Sequence, residues 1–218
     1  MAVFPYKHII WDWNGTLFDD AWLCVEVMNG LLRRRGMSLI DSDIYQTLFD
    51  FPVIDYYRKI GFDLSTEPFE AISTEFITAY EARRSECGLR SGVIEVLKRN
   101  QHRGFDQSIL SAAKQEFLYQ AVDEFGIADF FSHVNGVDDH HAFGKVELGK
   151  SWAATLDLDL GDLVLIGDTV HDYEVAGEIG VDCYLVPGGH QSRERLTASG
   201  AKVLPSHAAL YEKLIADS

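Results

Sequence analysis

Four polar side chains are placed where this 218-residue sequence could do chemistry. Asp12, Ser111 and Asp168 each follow a short apolar segment, and Asp172 lies four residues after Asp168. Open parallel sheets bind ligands at the carboxyl ends of their strands. Carboxylates that lie close together repel one another unless a cation joins them, and oxygen ligands suit Mg²⁺. If the three segments are neighbouring strands, the pattern therefore predicts a site for Mg²⁺ and a phosphate group.

The elements that must position these residues alternate between strand and helix patterns. This alternation predicts an α/β fold with a parallel sheet and crossover helices. The strand patterns are nearly continuous apolar runs, as expected when helices cover both faces of the sheet. The predicted strands are 8–11, 108–110, 163–166, 181–186 and 203–204. The predicted helices contain Val93, Val96 and Leu97, cover 116–125 and 173–179, and close the chain from His207.

The segment 18–87 has a helical pattern without strands. Apolar residues follow the i, i+3, i+4, i+7 spacing of a buried helix face. The expected helices are about 19–35, 41–49, 52–61 and 68–84. We therefore predict one α/β core, residues 1–17 and 88–218, with a helical insertion at 18–87. The insertion leaves the core after the first strand, at the end where ligands bind.

Composition excludes several classes of protein. Hydrophobic residues make up 47% of the chain, so it can bury a core, and the formal net charge is −15. This charge argues against binding to nucleic acid or to an anionic membrane, and an anionic substrate would need a locally positive site. Cys24, Cys87 and Cys183 fit free thiols in a reducing compartment. Since no apolar run approaches a membrane span and no signal-like start is present, we expect a soluble, cytoplasmic protein.

The motifs carry a family resemblance. Residues 12–16, Asp-Trp-Asn-Gly-Thr, resemble the DxDGT nucleophile motif of the haloacid dehalogenase superfamily. Ser111 and Lys145 resemble its second and third motifs, and residues 167–172, Gly-Asp-Thr-Val-His-Asp, match its acidic GDxxxD motif. The helical insertion is similar to the cap that the superfamily places between its first and second motifs. The resemblance implies a Rossmann-like core with a helical cap, and it is strongest to the phosphoglycolate phosphatase-like group.

The resemblance also implies roles for the acidic residues. Asp12 would attack phosphorus and become an aspartyl phosphate. Mg²⁺ would be held by the Asp12 carboxylate, the main-chain carbonyl of Asn14 and Asp168. Asp172 would assist the metal through a bound water or orient Lys145. The metal would let an anionic nucleophile approach an anionic phosphate.

Further residues are implied on the substrate side. Ser111 would donate a hydrogen bond to a phosphate oxygen, as would backbone N–H groups around Trp13 and Ala112. Thr16 of the first motif is placed with them as a substrate-binding residue. Lys145 would neutralise charge on the phosphoryl group, and Lys150 is its less favoured rival.

Asn14 departs from the family pattern. The family has a second Asp here, which protonates the leaving oxygen and then activates water. Asn can do neither, although its NH₂ can donate a hydrogen bond. Three explanations stay open: substrates with good leaving groups, another acid or base (His171, His8 or Asp19), or a binder of phosphorylated ligands with little turnover. We expect Asn14→Asp to raise the turnover of alkyl phosphates.

The main interpretation is a Mg²⁺-dependent phosphatase acting on a small phosphorylated metabolite. A phosphate-ligand binder is the alternative. A dehalogenase is less favoured, because its metal-free chemistry does not need Asp168 or Asp172. A phosphonatase would need a cap amine, for which Lys59 is the candidate. Monomer and homodimer are equally compatible with the sequence.

Three other groups are interpreted as structural. His190 is read as part of a turn, although it follows a strand and could border the site. Residues 33–35 are read as a cationic helix end and residues 138–141 as a solvated loop.

Overall fold

The computed structural model describes residues 6–137 and 144–209. Its centre is a parallel sheet of six strands in the order β3-β2-β1-β4-β5-β6. This α/β architecture is the one that strand–helix alternation predicts. The strands are β1 (His8–Trp11), β2 (Asp106–Lys114), β3 (His133–Val137), β4 (Leu163–Gly167), β5 (Asp182–Leu185) and β6 (Lys202–Val203).

Helices connect the strands and cover both faces of the sheet. Four of them lie in the chain between β1 and β2: α1 (Ala21–Arg34), α2 (Ser42–Leu48), α3 (Val53–Lys59) and α4 (Phe69–Glu81). The others are α5 (Val93–His102), α6 (Gln115–Glu124), α7 (Gly144–Ala153), α8 (Val170–Ile179) and α9 (Arg193–Ala198). The four helices expected within residues 18–87 are thus confirmed.

Strand register brings the predicted site residues to one edge. Trp11, the last residue of β1, pairs with Ile109 of β2 on one side and with Ile166 of β4 on the other. The Asp12 N–H extends this ladder by donating to the Ile166 carbonyl at 2.9 Å. The three strands are therefore neighbours, which is the condition that the sequence analysis set for a shared site.

Alternate residues of the strands pack into two cores. Ile9 and Trp11 contribute to the core that also holds α5, α6 and the helices before β2. Ile10, which points to the opposite face, joins the core formed with α7, α8 and α9. This alternation is the period of two expected of a strand covered on both faces.

Several boundaries differ from the sequence predictions. β2 continues past Ser111 to Lys114, and α8 begins at Val170 rather than at Tyr173. β3, α7 and α9 were not predicted at all. β3 is a half-buried edge strand that contains a glycine, so its apolar signal is weak. Most of the helix expected from His207 lies outside the described residues.

The helices between β1 and β2 have charged as well as apolar contacts. The basic end of α1, read as a cationic helix terminus, pairs with acidic residues of this same segment. Arg35 contacts Glu67 at 2.5 Å and Glu75 at 2.6 Å. Arg34 also pairs with Glu75. These arginines are thus occupied within the helical segment rather than directed at a substrate.

Two features of the composition have a structural counterpart. The three cysteines are free, as the sequence predicted, and all three are buried. Among the residues that the structure describes, no helix combines the length and the apolar character needed to cross a membrane.

Gly136 provides a test of the packing at the edge of the sheet. A Cβ atom at this position would lie 2.7 Å from the Ala113 carbonyl oxygen and 2.8 Å from the Gln115 Cα atom. Since both are backbone atoms, Gly136→Ala should lower the free energy of unfolding by about 1–3 kcal/mol. Urea denaturation would measure this change.

Gly161→Ala is the matched control, because a Cβ atom there would meet nothing within 4 Å. We expect it to change the free energy of unfolding by less than about 0.5 kcal/mol. Equal effects of the two substitutions would contradict the close packing of β3 against the start of α6.

Candidate active site

The centre of the site is a pair of buried carboxylates at the ends of β1 and β4. Asp12 follows β1 and is 7% exposed, and Asp168 follows β4 and is completely buried. The Thr16 hydroxyl lies between them, 2.9 Å from Asp168 Oδ1 and 3.1 Å from Asp12 Oδ2. Thr16 was predicted to bind substrate. In this arrangement its hydroxyl orients the two carboxylates, and substrate binding by Thr16 stays a prediction.

Lys145 of α7 lies next to these carboxylates. Its buried ammonium group donates to Asp12 Oδ1 at 2.5 Å and to Asp172 Oδ1 at 2.7 Å. Burial opposes the charged ammonium, but the charges of Asp12 and Asp172 outweigh it and hold the pKa of Lys145 above its ordinary value. Lys150, its rival in the sequence, is on the surface and pairs with Glu178 at 2.9 Å. Lys145 is therefore the lysine that the fold brings to the nucleophile candidate.

Asp172 lies in the first turn of α8 because this helix begins at Val170, three residues before the predicted start. Its Oδ2 atom accepts from the Thr169 N–H at 3.0 Å, and its own N–H donates to the Thr169 hydroxyl oxygen at 3.3 Å, which forms a capping box. The Thr169 hydroxyl is also 2.7 Å from Oδ2. The same oxygen accepts from the Asp168 N–H at 3.2 Å, and Oδ1 accepts from Lys145. Both oxygens of Asp172 are thus used within the protein, which favours an orienting role over direct metal ligation.

The donor set fits a hard divalent cation. Oxygen atoms of Asp12, Asp168 and Asp172 all lie within 4.8 Å of one another. Burial, together with the charge of Asp172, raises the pKa of Asp12 and of Asp168 above the ordinary range of an Asp. Burial thus opposes the charged form of both carboxylates, and Lys145 and the His190 ring offset only part of this effect. A cation bound by the carboxylate oxygens would stabilise their charged forms, and Mg²⁺ prefers such ligands.

Ser111 and Ala112 lie one strand away, in β2. Ser111 is buried, and its hydroxyl oxygen accepts from the Ala113 N–H at 3.0 Å. This bond uses an acceptor site of the hydroxyl and not its hydrogen, so Ser111 keeps the capacity to donate. Ala112 is partly exposed. Their position agrees with the predicted phosphate-binding role, which stays a prediction.

The nucleophile loop, residues 12–16 after β1, carries the nucleophile candidate Asp12. It is held by groups that sequence reasoning did not single out. Gly15 has a φ of 71°, and its N–H donates to Asp20 Oδ1 at 2.9 Å. Its carbonyl accepts from Arg90 at 2.6 Å. The carbonyl of Thr16 accepts from the ring of His207 at 2.8 Å. These bonds fix the backbone that carries the nucleophile candidate.

Asn14 is held by Asp20 and by a tyrosine of α4. The Asn14 amide nitrogen donates to Asp20 Oδ2 at 2.7 Å and to the Tyr80 hydroxyl at 3.1 Å. The Tyr80 hydroxyl itself donates to Asp20 Oδ2 at 2.7 Å. Because a carboxylate can only accept, the amide must turn its NH₂ group towards Asp20. In the sequence, Asp20 is only one residue of the helix expected at about 19–35, so this contact was missed.

His190 borders the site, which the sequence allowed but did not favour. Its backbone N–H donates to Asp168 Oδ2 at 2.6 Å. Its ring lies between the Tyr45 hydroxyl, 2.8 Å from Nδ1, and Asp20 Oδ1, 3.4 Å from Nε2. Burial opposes protonation, but the charge of Asp20 outweighs it and raises the pKa of His190 to about 9. The signal in the sequence was the Gly-Gly-His that follows a predicted strand.

The proposed substitutes for a general acid lie elsewhere. His8 is fully buried at the start of β1, the opposite end from Asp12, where its Nε2 atom is 2.8 Å from Ser108 Oγ. Asp19 is exposed to solvent. The ring of His171 stacks on Phe51 with centroids 4.6 Å apart. Of the three, only His171 is next to a residue of the carboxylate cluster.

Two remaining candidates do not join the site. Lys59, the cap amine considered for phosphonatase chemistry, pairs with Asp50 at 2.5 Å and is largely at the surface. Residues 138–141, interpreted as a solvated loop, lie outside the described residues.

A buried carboxylate nucleophile, a lysine beside it and an acidic cluster on a parallel sheet are features of a phosphoryl-group hydrolase. The profile of haloacid dehalogenase-like hydrolases matches residues 9–186. The chain therefore belongs to the family of haloacid dehalogenase-like hydrolases.

Individual relatives are distant. The chain is 25% identical to tyrosine-protein kinase PtkA of Mycobacterium tuberculosis over 212 residues, which cover 94% of this chain and 70% of the relative. It is 27% identical to a phosphoglycolate phosphatase of Rhodobacter capsulatus over 134 residues, 60% of this chain and 61% of the relative. The fold is similar to the crystal structure of a predicted phosphatase from Clostridium acetobutylicum. That match has a TM-score of 0.77 and 20% identity, and it covers 97% of this chain and 99% of the other.

His207 makes the stability of the nucleophile loop depend on pH. Burial, with the charge of Arg90, lowers the pKa of His207 to about 4. Below its ordinary pKa the unfolded chain then binds a proton that the folded chain does not, so stability falls as the pH falls. This effect should remove about 2 kcal/mol from the free energy of unfolding between about pH 7.5 and about pH 5.

Urea denaturation of His207→Gln at both pH values would measure this contribution. Gln can still donate to the Thr16 carbonyl but does not titrate, so the variant should lose about 2 kcal/mol less than the wild type on acidification. The exposed His102 provides the control His102→Gln, which should follow the wild type. If the free energy of unfolding fell equally with pH in the wild type and in His207→Gln, the lowered pKa of His207 would be contradicted.

Proposed function

We propose that this enzyme is a Mg²⁺-dependent phosphatase for a small phosphorylated metabolite, with an aspartyl-phosphate intermediate on Asp12. The observation that carries the proposal is the position of the Asp12 carboxylate. It lies between the Lys145 ammonium and the Thr16 hydroxyl, within 4.8 Å of Asp168 and Asp172 oxygens. These neighbours suit a carboxylate that must approach an anionic phosphate.

The acidic residues divide into two tasks. Asp12, Asp168 and the main-chain carbonyl of Asn14 would hold Mg²⁺, which supplies charge neutralisation and orients the phosphate when bound. Asp172 orients Lys145, because its two oxygens already accept hydrogen bonds from the protein. Lys145 would then neutralise charge on the phosphoryl oxygens beside Asp12.

The covalent step belongs to Asp12. One of its carboxylate oxygens forms a bond to phosphorus while the bond from phosphorus to the leaving oxygen breaks. The Ser111 hydroxyl and the backbone N–H of Ala112 would donate to the phosphoryl oxygens. Attack by water on the aspartyl phosphate then releases phosphate and restores the carboxylate.

The helices within residues 18–87 would act as a cap over this site. Helix α2 and the residue that follows it contact the loop after β5: Gln46 donates to the Gly189 carbonyl at 2.9 Å and Gln191 to the Phe49 carbonyl at 3.1 Å. On the other side, Tyr80 of α4 reaches Asn14. Contacts on two sides of the nucleophile loop support a cap that excludes large substrates.

A second candidate is a phosphate-ligand binder that turns over slowly. It is favoured by Asn14, because an amide can neither protonate a leaving oxygen nor accept a proton from water. A relative with the name of a tyrosine-protein kinase is compatible with a phosphorylated Asp12 that passes its phosphoryl group to another acceptor. Release of inorganic phosphate in many turnovers would exclude this candidate.

Asp12→Asn tests the nucleophile. Phosphate release from 4-nitrophenyl phosphate in excess Mg²⁺ should fall by about 10³-fold or more, because the amide cannot form the acyl phosphate. Asp19→Asn removes an exposed carboxylate of the same loop region and should keep the wild-type rate. Similar rates for Asp12→Asn and the wild type would refute a role for Asp12 as nucleophile.

Asp168→Asn tests the metal site without an activity assay. Mg²⁺ at about 100 times its Kd should stabilise the wild type by about 2.7 kcal/mol, and the variant should lose most of this gain. Without Mg²⁺ the variant should be at least as stable as the wild type, since one of the repelling carboxylates is gone.

Thermal unfolding with and without Mg²⁺ measures both effects. Asp162→Asn, which removes a carboxylate paired with Lys7 on the surface, is the control and should keep the Mg²⁺ response. If Mg²⁺ stabilised Asp168→Asn as much as the wild type, Asp168 would not be a ligand of the metal.

A further inference from the structure

Asn14 lies at the opening of the site. The other residues of the loop 12–16 are buried, whereas Asn14 is partly exposed. The phosphate end of a substrate would lie among the buried groups around Asp12. Its leaving oxygen and the rest of the molecule would therefore pass beside the Asn14 side chain.

The NH₂ group of Asn14 is already engaged within the protein. Its nitrogen donates to Asp20 Oδ2 at 2.7 Å and to the Tyr80 hydroxyl oxygen at 3.1 Å. The NH₂ group that could have donated to a leaving oxygen is thus occupied. Of the polar atoms of this side chain, only Oδ1 is left, and a carbonyl oxygen is an acceptor.

The groups around Asn14 do not supply another donor. The Tyr80 hydroxyl donates to Asp20, as does the Gly15 N–H. Both ring nitrogens of His190 face partners, the Tyr45 hydroxyl and Asp20. Among the described residues that contact Asn14 or Asp20, each of these donor hydrogens is already directed at an acceptor.

We infer that the enzyme selects phosphates whose leaving oxygen departs as a stable anion, namely phosphates of phenols, enols and carboxylic acids. The inference rests on the proposed phosphatase function and narrows its substrate class. As the Asp12 oxygen bonds to phosphorus, the electron pair of the breaking bond stays on the leaving oxygen. The leaving group departs as an anion and takes its proton from water outside the site. Alkyl phosphates, whose leaving oxygen needs that proton earlier, react slowly.

The structure also predicts how the missing acid can be restored. In the wild type the Asn14 amide donates to the Asp20 carboxylate. Asn14→Asp alone would replace this donor with a second carboxylate, and the two negative charges would repel each other. The exchange Asn14→Asp with Asp20→Asn keeps one carboxylate and one amide in the pair. The amide introduced at position 20 would then donate its NH₂ group to the carboxylate introduced at position 14. The oxygen of that new amide would still accept from the Gly15 N–H.

The experiment compares a series of substituted phenyl phosphates with alkyl phosphates of similar size. In the wild type, kcat/KM should fall steeply as the pKa of the leaving alcohol rises. In the double exchange variant the alkyl phosphates should gain about 10²-fold or more, while the most reactive aryl phosphates change by less than about 3-fold. The single variant Asn14→Asp should gain much less than the double exchange.

The wild-type rates distinguish failure of the inference about substrate class from failure of the proposed phosphatase function. A wild type that releases phosphate from alkyl and aryl esters at similar rates would overturn the inference and leave the phosphatase function intact. No release from any ester would instead refute the proposed function. The wild-type series needs no variant, so the inference stays testable if the double exchange variant does not fold.

His171→Gln tests the competing source of a proton. If His171 donated to the leaving oxygen, the variant would lose alkyl phosphate activity about 10-fold more than aryl phosphate activity, and the inference would be wrong. Equal effects of His171→Gln on alkyl and aryl phosphates would support the inference. The dependence of kcat/KM on the pKa of the leaving alcohol would then be the same as in the wild type.

Discussion

Burial of like charges at the carboxyl ends of β1 and β4 is the constraint on which the site depends. Asp12, Asp168 and Asp172 lie close together in a place that water barely reaches, and Lys145 offsets only part of their charge. Unpaired charges are costly to bury, so the fold must keep them together for a reason other than stability. Under the proposed function, this arrangement would be a preformed receptor for a cation and a phosphate group, held in place by the sheet register.

Asp20 and His190 organise the other side of the nucleophile loop. Asp20 accepts from the Gly15 backbone, from the Asn14 amide and from Tyr80, and it faces the His190 ring. These contacts join the nucleophile loop, α4 and the loop after β5 around one buried carboxylate. Residue 14 is neutral in this setting because its neighbour is already charged. The carboxylate that the family pattern has at residue 14 is present here at Asp20, six residues later, where it contacts Asn14, Tyr80 and His190.

The helical segment takes part in this organisation and is more than a cover. Tyr45 and Tyr80 bring hydroxyl groups from α2 and α4 to His190 and Asn14. A movement of these helices would therefore change the hydrogen bonds of residues beside the nucleophile. If the segment acts as the proposed cap, Tyr80 would couple substrate entry to the orientation of the Asn14 amide.

Local sequence determined the parts of this protein that depend on neighbouring residues. Apolar runs predicted the central strands, apolar spacing predicted the helices between β1 and β2, and the four motifs selected Asp12, Asp168 and Lys145. β3 was missed because an edge strand with a glycine buries too little apolar surface to leave a clear pattern. The contacts of Tyr80 and His190 were decided only by tertiary structure. Their partners lie far apart in the chain, 66 residues for Tyr80 with Asn14 and 145 for His190 with Tyr45, and residue type alone does not say which buried donor meets which acceptor.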